Sequence, residues 1–131
     1  MKSKWVLLWA ILAGVAIGVP GGLAMRGQQA KAGPGYVFAE VEVTDPAGMQ
    51  KYGAQIAQTL APFKHHYVIV GHNIQPLEGD APKGTIVMIA FDSVEMARAW
   101  YDSPAYAAIR PIRQSSAKSR IFIVEGLADQ P

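Results

Sequence analysis

Three histidines, two closely spaced glutamates, a pair of tyrosines and one arginine are the side chains in this sequence with chemistry to offer. His65 and His66 are adjacent, and neighbours on an extended strand point to opposite faces. His66 and His72 share a parity, but six residues of strand would hold them about 20 Å apart. One chain chelates a metal with that set only if a bulge or bend intervenes. No metal site is therefore expected, and a partly exposed strand end is the plainer reading. Glu40 and Glu42 lie two residues apart, so they share one strand face. A carboxylate on a covered face is costly unless it is paired or beside a cavity. Its pKa would then rise, which makes Glu40 a candidate general acid or base. The alternatives are an ion pair across a dimer, or a position at the exposed end of the sheet. Tyr101 and Tyr106, with Trp100, sit at helical spacing, where aromatics more often build core than a ligand cage. Arg113 is placed either to hold an anion at a pocket mouth or to pair with Glu78 or Asp102. Glu40, His66, Tyr101, Tyr106 and Arg113 are thus the candidate ligand-binding residues.

Other chemistries have no residues to carry them. The chain lacks cysteine, which removes disulfides, thiolate nucleophiles and thiolate-held metals. Gly33-Pro34-Gly35 precedes a strand instead of joining a strand to a helix, so it is no dinucleotide loop. There is no Gly-x-Ser-x-Gly elbow and no His-Glu-x-x-His. No motif asks for a cofactor. The formal net charge of +2 is misleading, because Lys2, Lys4, Arg26 and Lys31 all precede the first acid. Residues 33–131 hold eight basic and ten acidic side chains, a net of −2. A nucleic-acid binder needs a basic stripe on its folded part, and none is present.

Residues 1–32 read as a leader. Lys2 and Lys4 form a basic start, Trp5 to Val19 is an unbroken apolar run, and Pro20-Gly21-Gly22 follows it. Ala30-Lys31-Ala32 has the small-x-small form that a signal peptidase reads. The uncharged stretch from Trp5 to Met25 is also just long enough to span a bilayer as a helix. Cleaved signal peptide and uncleaved membrane anchor both remain open. In either case the expectation is export: a periplasmic or secreted protein, or one anchored in the inner membrane with its domain outside the cytoplasm. Membrane contact is expected only through this segment.

The candidate residues are positioned by elements in residues 33–131. Tyr36–Val43 alternates, with Val37, Ala39, Val41 and Val43 on one face and Tyr36, Phe38, Glu40 and Glu42 on the other. Asp45-Pro46 starts a helix, with Met49, Tyr52, Ile56 and Leu60 on its apolar face and Pro62 ending it. His66–Ile74 is a β-branched run, and Thr85–Phe91 is a third strand forming a hairpin with it. Asp92-Ser93 with Glu95 caps a second helix through Trp100. Ser103-Pro104 starts a short helical stretch that Pro111 interrupts, and Arg120–Glu125 is the last strand. The order predicts an α+β, ferredoxin-like βαββαβ sandwich: a four-stranded antiparallel sheet with helices on one face, preceded by an N-terminal hydrophobic helix.

Two helices cover only one face of such a sheet. A sheet open to water on its other side alternates apolar with polar. Here Ile86, Met88 and Ala90 alternate with Val87, Ile89 and Phe91, so both faces are apolar. The open face should therefore pack against the same face of a second copy, giving a homodimer.

The chain also resembles the domain-of-unknown-function 1330 family of the dimeric α/β-barrel superfamily. The resemblance covers residues 35–126. It rests on Gly35-Tyr36, Val43-Thr44-Asp45-Pro46, Leu77-Glu78-Gly79, Phe91-Asp92-Ser93, the block Trp100-Tyr101-Asp102-Ser103-Pro104-Ala105-Tyr106, and Val124-Glu125-Gly126. It implies sheets packed face to face in a homodimer, with a pocket between sheet and helices or near the seam. The family usually carries glycines and an arginine around the second strand. This chain has Lys64-His65-His66 and Gly71-His72-Asn73 there, so a pocket at that end is altered. The resulting expectation is an exported dimer that binds a small apolar or aromatic ligand. A cofactor-free oxygenase or isomerase, and a structural or partner-binding module of the cell envelope, are the alternatives.

Overall fold

The computed structural model describes residues 31–128, and the predicted leader helix lies outside them. The elements run β1 (Gly35–Val43), α1 (Pro46–Leu60), β2 (His65–Gly71), β3 (Thr85–Phe91), α2 (Val94–Tyr101), α3 (Pro104–Ser116) and β4 (Ala117–Glu125). They form one four-stranded antiparallel sheet in the order β2-β3-β1-β4, with β1 central as expected. Along β1, Val37, Ala39 and Val41 are buried towards the helices, while Tyr36, Phe38, Glu40 and Glu42 alternate on the open face. That alternation fixes the register with β3 and β4, because a one-residue slip would turn the whole apolar set outward.

The helix starts follow local chemistry. Ser93 Oγ accepts from the Met96 amide at 3.1 Å, and Ser103 Oγ accepts from the Tyr106 amide at 3.3 Å. Each satisfies a donor that the first helical turn leaves orphaned. Asp45 holds the cap position of α1 without a side-chain cap bond. Its amide and that of Thr44 both donate instead to the Ser116 carbonyl, which ties the start of α1 to the end of α3.

Three expectations need correction. The helix begun at Ser103-Pro104 is not interrupted at Pro111 but continues unbroken to Ser116. Proline removes one amide donor, and the carbonyl it frees belongs to Ala107, an exposed residue, so the lost bond falls on the solvent side of the helix. The strand predicted over His66–Ile74 spans His65–Gly71 and carries a bulge, with the register shifting between Tyr67 and Ile69. The last strand begins at Ala117, earlier than Arg120, because it pairs with β1 along its full length.

The core lies between the sheet and the helices. Val37, Ile89 and Phe91 from the sheet meet Tyr52, Leu60, Ala97, Trp100, Tyr106 and Ile109 from the helices. Trp100 stacks on Phe91 with centroids 5.6 Å apart and lies 4.2 Å from the Tyr106 ring. Its indole N–H donates to Thr59 Oγ1 at 3.0 Å, so the largest core side chain leaves no polar atom unpaired. Among the described residues nothing covers the opposite sheet face. Phe38 stacks on Phe122 there at 5.0 Å, and Phe122 and Val124 remain 41% and 46% exposed.

Candidate functional site

Between the helix-side face of the sheet and α1 lies a cavity of about 380 Å³. Helix α1 leans on α3 rather than directly on the sheet, and two of its glycines show why. At Gly48 a Cβ would stand 1.9 Å from Ser116 Oγ, so only glycine permits that close approach to α3. At Gly53 a Cβ would meet nothing within 4 Å, because this turn of the helix borders empty space. The walls are mostly apolar: Val37, Val41, Val87 and Ile89 from the sheet, and Met49 and Ile56 from α1. Tyr67 and Val70 line it from β2, and they are 46% and 58% exposed, marking the side open to solvent.

One end of the cavity is polar. The Tyr52 and Tyr106 hydroxyls are 2.9 Å apart, and Arg113 Nε donates to the Tyr106 hydroxyl at 3.3 Å. All three residues are buried and line the cavity. Burial, reinforced by the nearby Tyr106, pushes the Tyr52 phenol far above its ordinary value, so it stays protonated at any physiological pH. Tyr67 is shifted in the same direction by the same two causes.

Of the five candidates read from the sequence, Tyr106 and Arg113 meet in this cluster, and Tyr101 stands beside it. The Tyr101 and Tyr106 rings are 5.4 Å apart, and the Arg110 guanidinium lies 4.3 Å over the Tyr101 ring while donating to the Tyr101 carbonyl. Arg113 pairs with neither Glu78 nor Asp102. Glu40 and His66 lie on the other face of the sheet, away from the cavity. Glu40 receives the Lys83 amide at 3.0 Å and Arg120 Nη2 at 2.7 Å. The amide bond, then the Arg120 bond and charge, hold its carboxyl below the ordinary range. The lowered value lends no support to the acid–base candidate, which needed a raised pKa, and agrees with the ion-pair alternative. The ion pair forms within one chain. His66 is exposed, and His65, pointing to the helix side, hydrogen-bonds the Phe63 carbonyl at 2.7 Å. His72 bonds Thr85 Oγ1 at 3.0 Å. No cluster of three or more metal-ligating side chains exists among the described residues.

Tyr52, Tyr67 and Thr85 are the polar lining residues that the sequence reading did not select. Tyr52 lay on the apolar face of α1 and read as core, since spacing alone does not separate a buried phenol from a cavity-lining one. No helix of the described residues is long and apolar enough to cross a membrane.

Solved structures with this fold include a protein of unknown function from Rhodopseudomonas palustris, 16% identical with a TM-score of 0.55, the match covering 85% of this chain and 95% of that one. SnoaB, a cofactor-independent oxygenase from Streptomyces nogalater, is 13% identical with a TM-score of 0.55, covering 76% of this chain and 99% of its own. A protein from Bacteroides fragilis, described as dimeric, of unknown function and ferredoxin-like, is 14% identical with a TM-score of 0.50, covering 71% and 96%. At these identities the likeness is one of fold. No functionally curated protein matches the sequence. The sequence model of the domain of unknown function family DUF1330 matches residues 34–127, and the chain belongs to that family.

Proposed function

We propose that this chain is an exported homodimer whose helix-side cavity binds a small, largely apolar ligand. The observation that carries the reading is the cavity itself: about 380 Å³, walled by aliphatic and aromatic side chains, with a hydroxyl–guanidinium cluster at one end. A concave, mostly apolar volume with a few convergent polar groups is the usual form of a small-molecule site. Dimerisation through the open sheet face is supported by the exposed apolar surface around Phe122 and Val124 and by the description of the Bacteroides fragilis protein as dimeric. Export is supported by the basic, then apolar, then small-x-small order of residues 1–32.

Binding is favoured over catalysis by the lining. Among the described residues, none around the cavity is a carboxylate or an imidazole, and Tyr52 is shifted away from ionisation. A reaction that begins with proton abstraction needs a positioned base, and the described lining supplies neither a carboxylate nor an imidazole for that role. The likeness to SnoaB supports a common architecture, which many unrelated activities share.

Native mass spectrometry of the protein purified from cells without added ligand tests the reading. A dimer carrying added mass is expected. A bare dimer after exhaustive attempts to load it would remove the ligand, and a monomer would remove the assembly. Cell fractionation should place the protein outside the cytoplasm; recovery in the cytosol would end the export proposal.

A further inference from the structure

The polar end of the cavity has more hydrogen-bond donors than acceptors. Arg113 is only 5% exposed, yet no carboxylate among the described residues pairs with it. A guanidinium carries five N–H donors and no acceptor. Arg113 uses Nε on Tyr106, and its Nη1 and Nη2 donate to nothing among the described residues. Arg113 borders free volume twice over, lining both the cavity and a polar vestibule that it shares with Tyr101, Gln114 and Ser119. The phenols add to the excess. Two hydroxyl hydrogens are present, the bond between Tyr52 and Tyr106 consumes one, and the other has no acceptor in the cluster.

A buried cation with no counter-charge is expensive. An incoming anion would supply that charge and accept the surplus donors at once, and charge-assisted bonds of this kind are about twice as strong as neutral ones. Among the described residues Arg113 is the only charged one lining the cavity, so a singly charged group matches it better than a phosphate dianion. Size sets the other half of the ligand. A cavity of about 150 Å³ accepts benzene, so this one suits an apolar body of roughly 15 non-hydrogen atoms.

We infer that the ligand is an amphipathic monoanion, a compact apolar body bearing one carboxylate-like group that seats against Arg113 and the free phenol hydrogen. This rests on the cavity being a binding site, and the experiment separates the two ideas. The full-length protein is titrated calorimetrically with 2-naphthoate and with 2-naphthamide, which share a body and differ in charge. Naphthoate should bind about tenfold tighter or more. Arg113→Gln should bring the two ligands to parity, and Arg113→Lys should keep part of the preference. Equal binding of acid and amide to the wild-type protein would overturn the inference and leave the cavity reading standing. Binding of neither would remove both. Should Arg113→Gln fail to fold, the acid-to-amide ratio in the wild type and in Arg113→Lys still decides the matter. An Arg113→Lys ratio unchanged from wild type alongside a folded Arg113→Gln that still prefers the acid would also overturn it.

Discussion

Replacing Tyr106 with phenylalanine removes one oxygen and keeps the ring. The contacts to Trp100 at 4.2 Å and Tyr101 at 5.4 Å should survive, so the change isolates the hydroxyl. That hydroxyl serves two partners, Arg113 Nε at 3.3 Å and the Tyr52 hydroxyl at 2.9 Å. Leaving a buried charged donor unpaired costs about 1–3 kcal/mol, and losing a neutral hydrogen bond costs about 1 kcal/mol. Because the Arg113 nitrogen can turn part-way to open volume, Tyr106→Phe should cost about 2–3 kcal/mol in all. Tyr52→Phe removes only the outer partner, since Tyr106 still accepts from Arg113, and should cost about 1 kcal/mol. The double variant should cost little more than Tyr106→Phe alone, because the Tyr52 hydroxyl then has no bond left to lose. Urea unfolding followed by circular dichroism, at one protein concentration to hold any dimer contribution fixed, gives all four stabilities. In a domain of this size each kcal/mol shifts the melting temperature by about 4–8 °C, so the ranking is easily resolved. If Tyr106→Phe lies within about 0.5 kcal/mol of wild type, or if Tyr52→Phe is the costlier change, the hydroxyl chain is not organised as described.

Other expectations follow from the same structure. The Glu40 carboxyl has a depressed folded-state pKa, so its stabilising contribution is full above the unfolded carboxylate value and is lost as pH falls through the folded one. Glu40→Gln should therefore lower stability at neutral pH and converge with wild type in acid; a gap that persists at low pH contradicts this. Gly53 borders the cavity with nothing near a would-be Cβ, so Gly53→Ala should stabilise the helix by about 0.5–1 kcal/mol in thermal unfolding. Gly53→Phe should fold and yet bind 2-naphthoate more weakly by calorimetry, and undiminished binding would move the ligand elsewhere. Phe122→Glu places a charge on the uncovered sheet face beside Phe38, and sedimentation should then find monomers in place of dimers.

The strands and helix starts were legible because each has a local cause. The alternation of Tyr36–Val43 states which side is inside, and Ser93 and Ser103 announce the helices they cap. Pro111 misled because its effect depends on whether the freed Ala107 carbonyl meets water, a tertiary fact. The β2 bulge has no residue signature, since it arises from pairing with β3. The site divides the same way. Tyr106 and Arg113 are seven residues apart on one helix and converge, while Tyr52 joins them from 54 residues away across the core. Glu40 was placed on the correct face, but its partners Lys83 and Arg120 come from a distant loop and strand, so the direction of its pKa shift could not be read along the chain.

The bulge in β2 has a consequence for the cavity mouth. A regular strand repeats its orientation every second residue, so residues three apart face opposite ways. The extra residue, Val68, resets that rhythm, and Tyr67 and Val70 both turn to the cavity although an odd step separates them. His66 and Ile69 are carried together to the other side. The strand is thus read in two frames that join at Val68. Deleting that one side chain's position would leave composition and length almost unchanged, yet it would force one frame on the whole strand, and either the mouth or the open face would receive the wrong residues.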